Sequence, residues 1–309
     1  MQEKIKSYAK SLGFDLVGFT SASAGKLSVS FYEKWLKEGK NADMQYLEKI
    51  SPRKNLKEIL QNAKTVIALG MNYYHEQKPL KEKHGRVARY AYGRDYHKII
   101  SKKLKQLEAF IKTLDPNAET KSYVDTGPVL ERSFAEQAGI GVVGKNSCLI
   151  TKEFGSWIFL AEIITNLKLK TATKTSKKFS VCGKCTRCID ACPTGAIVAP
   201  GVIDSRRCIS YLTIENKGKI PKEFAKEIKK TCRIYGCDIC QEVCPHNCRA
   251  VPCHSELVSE STKIAGDELS VKKILAIKSD EDFLKIFAGS PLMRAKRKGL
   301  QRNFLEIKK

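Results

Sequence analysis

Cys182, Cys185, Cys188 and Cys192 follow one another as C-x2-C-x2-C-x3-C with Pro193 directly behind, and Cys237, Cys240 and Cys244 repeat the end of that pattern before Pro245. Thiolates at this spacing hold the corners of four-iron clusters, and the fourth cysteine of such a run conventionally crosses to a second cluster. Two such clusters take eight thiolates, and the two runs supply seven. The missing ligand has two candidates, Cys208 in DSRRCISYLTIE and Cys232 in KKTCRIYGC. Zinc is the competing reading of any C-x2-C pair, but zinc sites rarely carry the x2-x2-x3 run and a trailing proline twice. The chemistry expected is therefore one-electron transfer. Of the other cysteines, Cys148 in the apolar stretch NSCLIT reads as a packing residue. Cys248 and Cys253, beside His246 and His254, lack a recognised ligand spacing and read as loop residues.

The elements that must carry these residues are legible in outline. A chain of 309 residues and 34.7 kDa corresponds to about two domains. With 42% hydrophobic and 29% charged residues it has the balance of a soluble globular protein. No run of about 18 apolar residues occurs, and MQEKIKSYAKSLG reads as an amphipathic helix rather than a signal peptide. A spanning or secreted protein is thereby excluded, and twelve cysteines then imply a reducing, cytoplasmic setting. Lys and Arg number 56 against 33 Asp and Glu, a net charge of +23 that favours a polyanionic partner. The tail, residues 291–309, concentrates this field in Arg294, Lys296, Arg297, Lys298, Arg302, Lys308 and Lys309 against Glu306.

Periodicity predicts helices over 2–12, 30–39 and 97–114 and another from Pro128. Strands are predicted over 14–20, 65–73 and around 121–124, with 148–151 and 156–165 as an antiparallel pair flanking Gly155. This is an α/β pattern rather than a bundle. No glycine-rich phosphate loop follows a strand, so neither NAD nor ATP is indicated. The divisions expected are 1–166 as the catalytic domain, 167–250 as the cluster module after a polar, basic linker over 167–180, and 251–309 as a basic helical segment positioned for RNA.

An electron carrier with two clusters needs only a fraction of this length, so the remainder must bind what the electrons reduce. Through YVDTGPVLERSFAEQAGIGVVGKNSCLI, GSWIFLAEIIT, VCGKCTRCIDACPTGAI, RRCISYLTIE and RIYGCDICQEVCPHN, the chain closely resembles the epoxyqueuosine reductases from DLVGFT to GSPLMRAKRKGLQRN. The resemblance implies reduction of epoxyqueuosine to queuosine at the wobble position of tRNA anticodons. It also implies a cobalamin-binding domain of nitroreductase-like fold followed by a ferredoxin-like module with two [4Fe-4S] clusters. It favours Cys208 as the eighth ligand, which assigns Cys182, Cys185, Cys188 and Cys244 to one cluster and Cys192, Cys208, Cys237 and Cys240 to the other.

By the same resemblance Asp125 matches the family's general acid, for which burial beside a corrin is expected to raise the pKa. Helix capping is the alternative role for this aspartate. Arg53, Asp125, Lys145, Asn146, Ser156, Ser210 and Asp238 are the expected cobalamin contacts, and His97, in Asp95-Tyr96-His97, is expected to be structural and not a cobalt ligand. The partners implied are tRNA and an external electron donor such as flavodoxin or ferredoxin, with the protein acting as a monomer away from membranes. The competing function is that of a reductive dehalogenase-like corrinoid enzyme acting on a small organohalide, for which the basic tail has no use.

Overall fold

The computed structural model describes residues 1–23, 25–172, 179–248, 266 and 268–308. Its first part is α1 (Gln2–Ser11), β1 (Leu16–Ser21), α2 (Lys26–Lys37), the single turn α3 (Ser51–Lys54), β2 (Thr65–Asn72), β3 (His84–Val87), α4 (Tyr96–Leu114), β4 (Thr120–Tyr123), α5 (Glu131–Gln137), β5 (Val142–Val143), β6 (Leu149–Ile150) and β7 (Ile158–Thr165). The central sheet runs β1-β2-β7-β4, and every neighbouring pair in it is antiparallel.

Side chains alternate across a strand, and here the two faces have different partners. Ile67, Leu69 and Met71 of β2 with Phe159, Ala161 and Ile163 of β7 pack against Ile5 and Ala9 of α1 and Leu104, Leu107 and Ile111 of α4. On the opposite face Val66 and Ile164 meet Phe134 of α5, and Ala68 meets Ala135. Because helices cover both faces, all eight residues of β2 are buried, which is why it reads as a continuous apolar run rather than an alternating one.

The second part contains α6 (Arg187–Asp190), β8 (Ile197–Ala199), β9 (Val202–Ile203), α7 (Ile209–Ile214), α8 (Lys222–Thr231), β10 (Arg233–Tyr235) and α9 (Ile239–Glu242). It is followed by β11 (Glu268–Ser270), α10 (Val271–Leu275), α11 (Asp280–Phe287) and α12 (Lys296–Lys308). A small sheet ordered β10-β3-β11 binds the parts together, since β3 comes from within the first 166 residues. Among the described residues no helix is long and apolar enough to cross a membrane.

Two expectations are corrected. Residues 148–151 and 156–165 do not form a pair of strands: β6 pairs with β5, and β7 is claimed by β2 and β4, leaving only a bridge between Thr151 and Gly155. Short apolar segments do not encode their partners. The helix expected from Pro128 starts at Glu131, with Leu130 at its N-cap, so Asp125 does not cap it.

The basic tail is a packed helix rather than an arm. Leu300, Asn303 and Phe304 are fully buried, and Asn303 donates to the Thr213 and Ile234 carbonyls at 2.7 and 2.9 Å. Arg302 donates to the carbonyls of Leu212, Asn216 and Gly218, and Arg297 bonds Asp280. Lys296, Lys298 and Lys308 stay exposed. Cys253, His254, Lys309 and linker residues 173–178 lie outside the described residues. Phe304→Ala is expected to cost about 3–5 kcal/mol and to lower the thermal midpoint clearly; an unchanged midpoint would remove α12 from the core.

Candidate active site

Cys182, Cys185, Cys188 and Cys244 line one cavity, with Lys145, Asn146 and His246 on its walls. Burial and the neighbouring Cys182, Cys244 and Cys185 push the Cys188 thiol up to about 11. The second set is linked pairwise: Cys192 lies within electrostatic reach of Cys208, Cys208 of Cys237, and both Cys208 and Cys237 of Cys240. Burial pushes Cys237 up to about 12. Burial raises Cys188, Cys208, Cys237 and Cys244, and the hydrogen bond to Cys148 together with burial raises Cys240, so the charge that makes these five thiolates must be brought by the group they bind.

Cys232 instead ends α8 in a left-handed conformation, φ 51°, with its thiol against the Lys229 carbonyl. Cys148 lies against Cys240 and is hydrogen-bonded to it, a neighbour that its apolar sequence setting did not reveal.

A buried polar seam presses this cysteine-rich region onto the sheet domain. Gln241 of α9 donates to the Ser156 carbonyl and hydroxyl, both at 3.0 Å. Asn247 accepts from the Ser156 amide at 2.7 Å and donates to its hydroxyl at 2.9 Å. A Cβ on Gly155, φ +56°, would come within 2.0 Å of the Asn247 oxygen, so only glycine allows this approach. The Arg89 amide donates to Asp238 at 2.8 Å, its guanidinium reaches Asp238 and Glu242, and the same group lies 4.8 Å from the Trp157 ring centroid.

Of the expected cobalamin contacts, Ser156 and Asp238 bond within this seam. Lys145 donates from Nζ to the Gly183 and Cys185 carbonyls at 2.7 and 3.0 Å, and Asn146 donates to Cys240 at 3.4 Å, so both brace cysteine loops. Arg53 is buried against Lys49 and Tyr32, and Ser210 sits two residues after Cys208 at the start of α7. Arg89, Gln241 and Asn247 carry the seam yet have no recognisable spacing in sequence.

Asp125 follows β4 with φ +58°, a left-handed conformation costly for a residue other than glycine. Its amide donates to Glu131 Oε1 at 2.6 Å. Its carboxyl, 58% exposed, meets His97 Nε2 at 3.2 Å, while His97 Nδ1 meets Asp95 Oδ1 at 2.7 Å. Asp95 also caps α4 through the His97 amide, and the Tyr96 ring stacks on His97 with centroids 4.1 Å apart. Arg294 lies over the half-exposed Tyr46 and contributes its field at Asp125. Residues from the sheet domain and from the C-terminal part therefore converge on one carboxyl.

The rise expected for the Asp125 pKa belongs to burial beside a corrin; the protein's own groups act in the other direction. Burial raises it, but the His97 hydrogen bond and charge, the Tyr96 hydroxyl and Arg294 outweigh burial and hold the carboxyl below its ordinary value. For His97 burial favours loss of the proton, yet Asp125 and Asp95 together push its pKa up to about 9. At neutral pH the arrangement is a carboxylate, an imidazolium and a second carboxylate in sequence.

Paired cysteine sets joined through a polar seam to a sheet domain that carries an acid–base couple are the features of an iron–sulfur oxidoreductase. Residues 53–126 match the family described as "Epoxyqueuosine reductase QueG, DUF1730", and residues 181–247 match the "4Fe-4S double cluster binding domain". The epoxyqueuosine reductase of Synechocystis sp. is 43% identical over 274 residues, 88% of this chain and 92% of the relative. The structure of the Streptococcus thermophilus enzyme matches with TM-score 0.89 and 33% identity, covering 99% of this chain and 80% of that one. An epoxyqueuosine reductase solved with an epoxyqueuosine-modified tRNA-Tyr stem loop matches with TM-score 0.88 and 35% identity over the same shares. The chain belongs to the epoxyqueuosine reductases.

Folding keeps the proton on His97 up to about pH 9, whereas an unfolded histidine releases it near about 6.5. This contribution to stability is complete below about pH 6.5 and is lost as pH rises through about 9. An NMR titration of the His97 imidazole is expected to give a midpoint near 9 in the wild type and a lower one in Asp125→Asn. A wild-type midpoint at the ordinary histidine value would break the couple.

Proposed function

We propose that this chain removes the epoxide oxygen of epoxyqueuosine in tRNA with Asp125 as the proton donor and His97 as the group that recharges it. The observation that carries the reading is the exposed Asp125 carboxyl, held in a left-handed turn and hydrogen-bonded to an imidazolium. Loss of the oxygen as water takes two electrons and two protons. Once the ring opens, the oxygen bears negative charge and must be protonated before it can leave. A proton on His97 can pass to Asp125 across their hydrogen bond, and Asp125 faces solvent, where a substrate can reach it.

The two sets of thiols support a pair of four-iron clusters: Cys182, Cys185, Cys188 and Cys244 for one, Cys192, Cys208, Cys237 and Cys240 for the other. Their part would be to accept single electrons from an external donor such as flavodoxin or ferredoxin. Cobalamin is the group the family resemblance implies for the sheet domain, assigned a nitroreductase-like fold; when bound, it would supply a low-valent cobalt nucleophile and so gather single electrons into a two-electron reaction. Both His97 ring nitrogens are engaged by carboxylates, so His97 would not be free to hold the metal of a bound corrin.

The net charge of +23 supports an RNA substrate, as does the stem loop bound by the relative. Among the described residues, Lys296, Lys298 and Lys308 are the tail cations available to phosphates, since Arg297 and Arg302 bond within the fold and Arg294 bonds Glu215. The enzyme would act as a cytoplasmic monomer. Two outcomes test the reading. Asp125→Asn is expected to slow single-turnover epoxide reduction about 10²–10⁴-fold with cofactor content unchanged; an undiminished rate removes Asp125 as donor. Reconstituted protein is expected to hold iron for two four-iron clusters, and Cys208→Ser is expected to lose iron from the second set while Cys232→Ser does not.

A further inference from the structure

Behind the Asp125 turn lies a carboxyl pair that the proton-transfer reading does not use. Glu162 sits in the middle of β7, opposite Tyr123 of β4 and Ala68 of β2, and is 1% exposed. Strand alternation puts it on the same face as Ile164, toward α5, and at the first residue of α5 stands Glu131. The two carboxyls lie within interaction range of each other, and Glu131 Oε1 accepts the Asp125 amide at 2.6 Å. Glu162 Oε1 is buried with no hydrogen-bond partner among the described residues. Two adjoining carboxyls repel when both are ionised, and a buried oxygen without a partner cannot stabilise a charge, so the pair calls for a proton.

We propose that Glu131 and Glu162 form a protonated carboxylic acid pair that latches the Asp125 turn, with Glu131 holding the Asp125 amide and Glu162 holding Glu131. Glu131 is a positioning residue. The left-handed backbone at Asp125 would relax without a partner for its amide, and the 2.6 Å bond supplies that partner. Tyr123 packs the other side of the turn so closely that a Cβ on Gly127 would meet its ring at 2.6 Å. The charged and titratable groups facing the pair are Asp125 from the turn, Arg132 from α5, Tyr96 from α4 and Tyr123 from β4. Burial, the mutual repulsion of the two glutamates and the charge of Asp125 all favour the neutral form, against which Arg132 is the opposing cation. The pair therefore carries a proton at neutral pH, and the latch stays closed while Asp125 is ionised.

The proposal rests on Asp125 being the donor only for its catalytic consequence, and its test reads the latch directly. In the cofactor-loaded enzyme, infrared difference spectroscopy between wild type and the double variant Glu131→Gln, Glu162→Gln is expected to show the C=O band of a neutral buried carboxylic acid at pH 7 in the wild type alone. Hydrogen exchange over residues 124–131, followed by mass spectrometry, is expected to accelerate about 5-fold or more in Glu131→Ala, as for the loss of one hydrogen bond. Glu131→Gln, which keeps an acceptor oxygen, is expected to restore slow exchange. The absence of an acid band, or equal exchange in Glu131→Ala and wild type, overturns the latch. If Glu131→Ala does not fold, the infrared comparison on the isosteric variants decides. A full rate in Asp125→Asn with both latch signals intact would defeat the donor reading and leave the latch standing.

Discussion

Buried polar and charged groups have to be matched where they stand, and this constraint fixes how the parts of the molecule meet. The contact between the sheet domain and the cysteine-rich region is made by Gln241, Asn247, Ser156, Arg89 and Asp238, nearly all buried and mutually bonded. A seam of this kind tolerates little sliding, because a displaced partner would leave a polar group desolvated and unpaired. An apolar interface could shift by a rotamer at lower cost. Rigid alignment of the thiols against the sheet domain is what electron transfer between them would require.

The same constraint acts in the acid–base couple. Asp125 and Asp95 flank one imidazole, so the proton resides on His97 and both carboxyls are ionised at neutral pH. A lone aspartate would need deep burial to become an acid. Here a histidine beside it stores the proton, and the carboxyl remains open to solvent. The glutamate pair behind the turn shows the opposite solution, in which carboxyls without sufficient countercharge keep a proton.

The tail illustrates how composition and placement diverge. Its cationic residues read as one basic surface, but Arg294 spans to Glu215, Arg297 to Asp280 and Arg302 to three carbonyls beside α7. Arginine's planar fork suits it to such clamps, whereas exposed lysine heads remain as point charges. Part of the positive charge is therefore structural, and the field available to a phosphate chain is smaller than the count suggests.

The cysteine runs with their trailing prolines, the helices of α1 and α4 and the apolar strands β2 and β7 were legible in the sequence, because each is encoded by local spacing or periodicity. Glu162 left a trace as a charge inside the apolar run FLAEIIT. The partner of β6, the union of β3 with β10 and β11, the contact of Cys148 with Cys240 and the depressed pKa of Asp125 were not legible. The β5–β6 pair is local but too short to leave a periodic signal; the others depend on residues far apart in the chain, such as His97 against Asp125, and distances of that kind are set only when the sheet, its covering helices and the cysteine loops close on one another.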